Sequence, residues 1–83
     1  MPVQYSGIVD EHRAVRQACG LFDISHMGEL MVSGARAAEF LDHALTNTAS
    51  KLAVGDAQYS LMCNDRGGVL DDLYVYRVAK EVY

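Results

Sequence analysis

A punctuated hairpin signal near residue 67 constrains this chain more than any other stretch. Ala57 to Cys63 alternates, with Tyr59, Leu61 and Cys63 on one side and Gln58, Ser60 and Met62 on the other. Asn64-Asp65-Arg66-Gly67-Gly68 is a run of turn formers, and such a run between two alternating segments reads as a hairpin. Val69-Leu70-Asp71-Asp72-Leu73-Tyr74-Val75-Tyr76 is the returning strand. Strand side chains alternate between faces, so Leu70, Asp72, Tyr74 and Tyr76 share one face and Val69, Asp71, Leu73 and Val75 the other. Aspartate is depleted in strands, and a carboxylate among apolar neighbours is costly unless paired, hydrogen-bonded or protonated. Either both Asp residues mark a solvated strand start, or one of them is placed for chemistry.

The rest of the chain supplies what the hairpin can pack against. Ile8 to Cys19 reads as a helix, with Ser6 as candidate N-cap, Asp10 and Glu11 in the first turns and Gly20 just past its end. Leu21 to His26 begins apolar and turns polar, and Met27 to Val32 then reads as a strand. Ala35 to Leu45 carries an apolar stripe of Ala37, Ala38, Phe40, Leu41, Ala44 and Leu45, the clearest helical pattern in the chain. Ala49 to Asp56 reads as a loop anchored by Leu52 and Val54, and Ala79-Lys80-Glu81 as a turn leading into a further strand at Val82-Tyr83. The expected fold class is α+β: two helices packed on an antiparallel sheet of about three strands. A strand that begins where the sequence ends leaves an open edge, so residues 1–83 are expected to be a partial domain.

Composition excludes several functions. Residues are 51% hydrophobic and the formal net charge is −4 over 83 residues, enough apolar content for one small core. There is no basic stripe, which argues against nucleic acid and membrane surfaces as partners. No apolar run approaches the roughly 20 residues that span a bilayer. The start Met1-Pro2-Val3-Gln4-Tyr5 has no signal-peptide character. Cys19 and Cys63 are isolated, which fits a reducing, cytoplasmic setting.

Few residues carry chemistry on pattern alone. His12, His26 and His43 lack metal-ligand spacing, so no metal is expected. Ser25-His26 is not a nucleophile pair, because sequence adjacency does not create that geometry. Gly67-Gly68 lacks the spacing and the following helix of a phosphate loop. Met27 and Met31 either fill a core or line a flat ligand. Tyr59, Tyr74 and Tyr76 divide the same way, each with an apolar ring and a hydroxyl that needs a partner. Asp71 and Asp72 remain, either structural, or a general base, or a carboxylate that orients a protonatable nitrogen.

Several stretches together resemble a known family. Met1-Pro2-Val3-Gln4-Tyr5, Glu11-His12-Arg13-Ala14-Val15-Arg16, Gly20-Leu21-Phe22-Asp23-Ile24-Ser25-His26-Met27-Gly28-Glu29 and Gly67-Gly68-Val69-Leu70-Asp71-Asp72-Leu73-Tyr74-Val75-Tyr76 stand in the order and spacing of the glycine cleavage system T protein, the aminomethyltransferases. The resemblance implies part of the first domain of a three-domain folate-binding fold. It implies an enzyme that takes the aminomethyl group from the lipoyl arm of H protein, releases ammonia and passes the carbon to tetrahydrofolate, giving 5,10-methylenetetrahydrofolate. The implied cosubstrate is tetrahydrofolate, and the implied partner is lipoylated H protein. By residue-level resemblance Asp72 matches the family carboxylate that meets the attacking folate nitrogen. Met27 matches a position packed near the pterin, and Tyr59 a neighbouring lining position. Asp71 comes over only as part of the motif.

Family members carry further residues before this segment and two more domains after it, so the chain by itself is expected to be inactive. Two other readings share the architecture. One is the folate-binding region of a dimethylglycine or sarcosine dehydrogenase, and the other a non-catalytic folate-binding relative. The Ser25-His26-Met27-Gly28-Glu29 and Asp71-Asp72-Leu73 wording favours the aminomethyltransferase.

Overall fold

The computed structural model describes residues 2–83. Helix α1 covers Ile8–Gln17 and α2 covers Ala37–Ala44, a 3-10 turn covers Ala49–Lys51, and strands β1, Ala57–Cys63, and β2, Val69–Tyr76, form an antiparallel pair. The turn between the strands is built by Asn64. Its backbone N–H donates to Gly68 O, and its side-chain Oδ1 accepts from the N–H of Arg66 and of Gly68. Gly67 sits at φ +79°, a left-handed conformation that glycine adopts without a Cβ penalty.

Pairing runs from Ala57↔Tyr76 to Met62↔Asp71, then shifts to Cys63↔Val69. Leu70 is therefore an extra residue on β2, a bulge placed directly before the two aspartates. Beyond the shift the alternation holds. Ser60 and Val75 are buried on one face, while Tyr59, Asp72, Tyr74 and Tyr76 are exposed on the other.

The core lies between α2 and the first of these faces. Ala37, Leu41, Ala49, Leu52, Val75 and Tyr83 are buried together, with Val32, Ala38, Leu45 and Leu73 packed around them. The segment after α2 braces the outer edge of β1. Thr46 N–H donates to Leu61 O, Leu61 N–H donates back to Thr46 Oγ1, and the Asn47 side chain donates to Tyr59 O. Ser60 is 2% exposed, and its hydroxyl accepts from Asn47 N–H, which satisfies a polar group in the core. The strand edge that would otherwise be open is thus capped by a loop. Arg77 ties the other end, donating to Leu52 O and Lys80 O, with its guanidinium 5.6 Å from the centre of the Tyr83 ring.

Four sequence expectations are corrected. Met27 to Val32 does not form a strand of the sheet, which has two strands among the described residues. Only residues 32–34 pair, with 81–83, through Val32 and Tyr83 exchanging both backbone bonds and Gly34 N–H donating to Glu81 O. Residues 28–31 have alternation but bond to no neighbouring backbone among the described residues, and alternation without a ladder is not a strand.

Helix α1 forms where expected but does not pack on the sheet, and no residue of it is buried. The radius of gyration of 16.4 Å exceeds the about 12 Å of a compact chain of this length, in keeping with a segment that stands off the core. Its N-cap is Gly7 rather than Ser6. No side chain caps the first turn; the Glu11 carboxylate instead reaches back past Gly7 and accepts from the N–H groups of Ser6 and Tyr5, which hold its carboxyl below the ordinary range. Finally, Phe40 falls off the buried stripe of α2 and is 58% exposed. No helix among the described residues is long and apolar enough to cross a membrane.

Candidate functional site

The uncovered face of the hairpin brings Asp72 and Tyr59 together. Tyr59 lies opposite Tyr74, and Asp72 opposite Leu61, so Tyr59 and Asp72 are diagonal neighbours on one face. A tyrosine is long enough to span that diagonal. Its hydroxyl donates to Asp72 Oδ2 at 2.9 Å. The Tyr59 ring meets Tyr74 edge-on, with centroids 5.5 Å apart, and Tyr74 in turn lies 6.3 Å from Tyr76. The result is a row of aromatic rings with one carboxylate at its end.

The register explains why Asp72 is presented this way. Leu61 directs both its N–H and its C=O to Thr46, away from β2. Leu61 and Asp72 are therefore a non-hydrogen-bonded pair, in which facing side chains sit closest. The Asp72 N–H then points to the outer edge of β2, and there it donates to Asp71 Oδ1 at 2.9 Å. The two aspartates divide the work: Asp71 satisfies a backbone donor at the edge, and Asp72 stands on the aromatic face.

Electrostatics follows from the same contact. The hydrogen bond to Asp72 and, to a lesser degree, partial desolvation push the Tyr59 phenol above its ordinary value, since ionising it would place two negative charges side by side. Among the described residues Asp72 Oδ1 has no hydrogen-bond partner.

Met27 is not part of this cluster. It closes the turn from Ile24, with its N–H donating to Ile24 O, and is 59% exposed. Among the described residues no group of three or more His, Cys, Asp or Glu side chains is arranged to hold a metal ion. Two concavities lie away from Asp72. One of about 610 Å³ on α2 is lined by Arg36, Glu39, Phe40 and His43, and one of about 470 Å³ lies between the N-terminal segment, α1 and residues 19–23. The Asp72 face is an open surface, with Tyr59, Asp72, Tyr74 and Tyr76 all exposed.

The family model for the GCVT N-terminal domain matches residues 1–83. The chain belongs to that family. It is similar to the aminomethyltransferase of Chlorobium limicola, at 59% identity over all 83 residues and 23% of that protein. It is also similar to the aminomethyltransferase of Thermus thermophilus, at 57% identity over the same residues and 24% of that protein. The chain thus spans about a quarter of the length of these relatives. The crystal structure of glycine cleavage system aminomethyltransferase T from Bartonella henselae matches 63% of this chain and 14% of its own, at 42% identity and a TM-score of 0.60. The matched part of the chain therefore shares its fold with part of that structure. Sequence reasoning had not paired Tyr59 with Asp72, nor found Thr46, Asn47 and Ser60 as the brace that fixes the register behind them.

Proposed function

We propose that this chain supplies the carboxylate-bearing wall of an aminomethyltransferase site, as part of the first domain of a longer folate-binding protein. The observation that carries this reading is the Asp72 carboxylate, held on an open aromatic face with one oxygen unpartnered. The reaction is transfer of the aminomethyl carbon from the lipoyl arm of H protein to tetrahydrofolate. Ammonia is released and 5,10-methylenetetrahydrofolate is formed. In it Asp72 accepts a hydrogen bond from the attacking folate nitrogen, orients its lone pair toward the carbon and stabilises the proton it sheds. Tyr59 lines the face beside it. Met27 contributes an adaptable apolar side chain toward the pterin. The partners on this reading are lipoylated H protein and tetrahydrofolate.

The test is a chimera in which these 83 residues replace the matching segment of the Thermus thermophilus aminomethyltransferase, which they match at 57% identity. The unmodified chimera is expected to transfer the carbon. Asp72→Asn is expected to lower the rate by about a hundredfold or more, the contribution of a positioned acid–base group, with an unchanged melting temperature. A folded chimera that is inactive, or an Asp72→Asn form with full activity, would refute the reading.

A further inference from the structure

We propose that Tyr59 is a positioning residue for Asp72: its hydroxyl holds Asp72 Oδ2 and reserves Oδ1 for the substrate nitrogen. This rests on the reading that Asp72 acts on that nitrogen, and adds to it a residue that acts without touching the reacting atoms.

Three contacts make Tyr59 suited to the task. The Asn47 side chain donates to its backbone carbonyl at 3.0 Å. Its ring abuts Tyr74 at an interplanar angle of 61°. Its hydroxyl reaches Asp72 at 2.9 Å. A side chain fixed at backbone, ring and tip loses little further freedom when it orients a neighbour. An aspartate on an exposed strand face otherwise rotates between rotamers and offers either oxygen. With Oδ2 engaged, one rotamer is favoured and one oxygen is left for the incoming N–H. Asp71 completes the arrangement from behind, since its carboxylate takes the Asp72 N–H and fixes the backbone on which the carboxylate turns. A phenol is protonated across the neutral range in any case, and the contact with Asp72 pushes Tyr59 further up, so its hydroxyl stays a donor.

The alternative role for the same bond is structural, a cross-strand tie that merely steadies the hairpin. The two roles separate in kinetics. In the chimera, Tyr59→Phe keeps the ring and removes the hydroxyl. Losing one hydrogen bond to a charged group is expected to lower kcat about tenfold, with KM for tetrahydrofolate within about twofold because ground-state binding is not what is lost. Adding Tyr59→Phe to Asp72→Asn is expected to cost nothing more, since the hydroxyl acts through the carboxylate.

Unchanged kcat in Tyr59→Phe, a rise in KM alone, or losses that multiply in the double variant would each overturn the proposal. None of these outcomes touches the role of Asp72, which fails separately if Asp72→Asn keeps full activity. A second readout needs no turnover: titration of the Tyr59 ring carbon by NMR in the 83-residue chain. The phenol is expected to ionise above its ordinary value and to move down toward it in Asp72→Asn. A titration that Asp72→Asn leaves unmoved would show that the bond does not exist in solution and would overturn the proposal.

Discussion

Two adjacent residues of α2 offer a sharp test of how the helix sits on the hairpin. Leu41 is 8% exposed and Phe40 is 58% exposed, although phenylalanine is the larger side chain. Leu41→Ala deletes three buried carbon groups at about 0.8 kcal/mol each and leaves a cavity among Ala49, Leu52, Val75 and Tyr83. A cost of about 3 kcal/mol follows, within the range for leucine deletions. Phe40→Ala deletes more atoms, but most of them are already in water, so about 1 kcal/mol is expected. A chain of this length has a total stability on the order of 4–12 kcal/mol, so the leucine change removes a large share of it. Urea unfolding followed by circular dichroism at the helix band reads both variants. With a slope near 1 kcal/mol per molar urea, the midpoints should fall by about 3 M and about 1 M respectively. A Phe40→Ala loss equal to or above that of Leu41→Ala would mean that α2 presents its other side to the sheet, and the packing described here would be wrong.

Two further predictions follow from the braces. Asp42 accepts a hydrogen bond from Ser50 N–H, and the Ser50 hydroxyl and backbone hold its carboxyl below the ordinary range. A depressed carboxyl contributes stability above its unfolded pKa of about 4 and loses it as pH falls through the folded value. Asp42→Asn should therefore be less stable than the parent at pH 7 and converge with it near pH 2, and a gap that stays constant across an acid titration would contradict this. Gly67→Ala forces a Cβ into φ +79° at a turn with open space around it, so the cost is backbone strain alone, about 1 kcal/mol. A neutral urea midpoint would show that the turn can relax.

Much of this was legible before the structure. The turn formers between two alternating segments located the hairpin, and the apolar stripe located α2, because both signals are local. The face shared by Asp72, Tyr74 and Tyr76 followed from alternation and survived the bulge at Leu70, which lies before them. The Tyr59–Asp72 contact was not read, because it depends on the pairing register. That register is set by the bulge and by Thr46 and Asn47 gripping the far edge of β1, and neither leaves a local pattern. Met27 to Val32 was misread for the complementary reason. It has a strand's alternation, but a ladder needs a neighbour, and only Val32 and the two residues after it find one, in residues 81–83. Helix α1 shows that an amphipathic pattern forms a helix without saying what covers it.

The two aspartates that stand side by side in β2 are given opposite roles, and separating them is the most direct test of the account. In the chimera, Asp71→Asn keeps an oxygen that can accept from Asp72 N–H, so transfer should stay within about threefold of the unmodified protein. Asp72→Asn should lose about a hundredfold or more. Transfer rates that fall equally in the two variants, or fall only in Asp71→Asn, would contradict the claim that the carboxylate on the aromatic face is the one that acts.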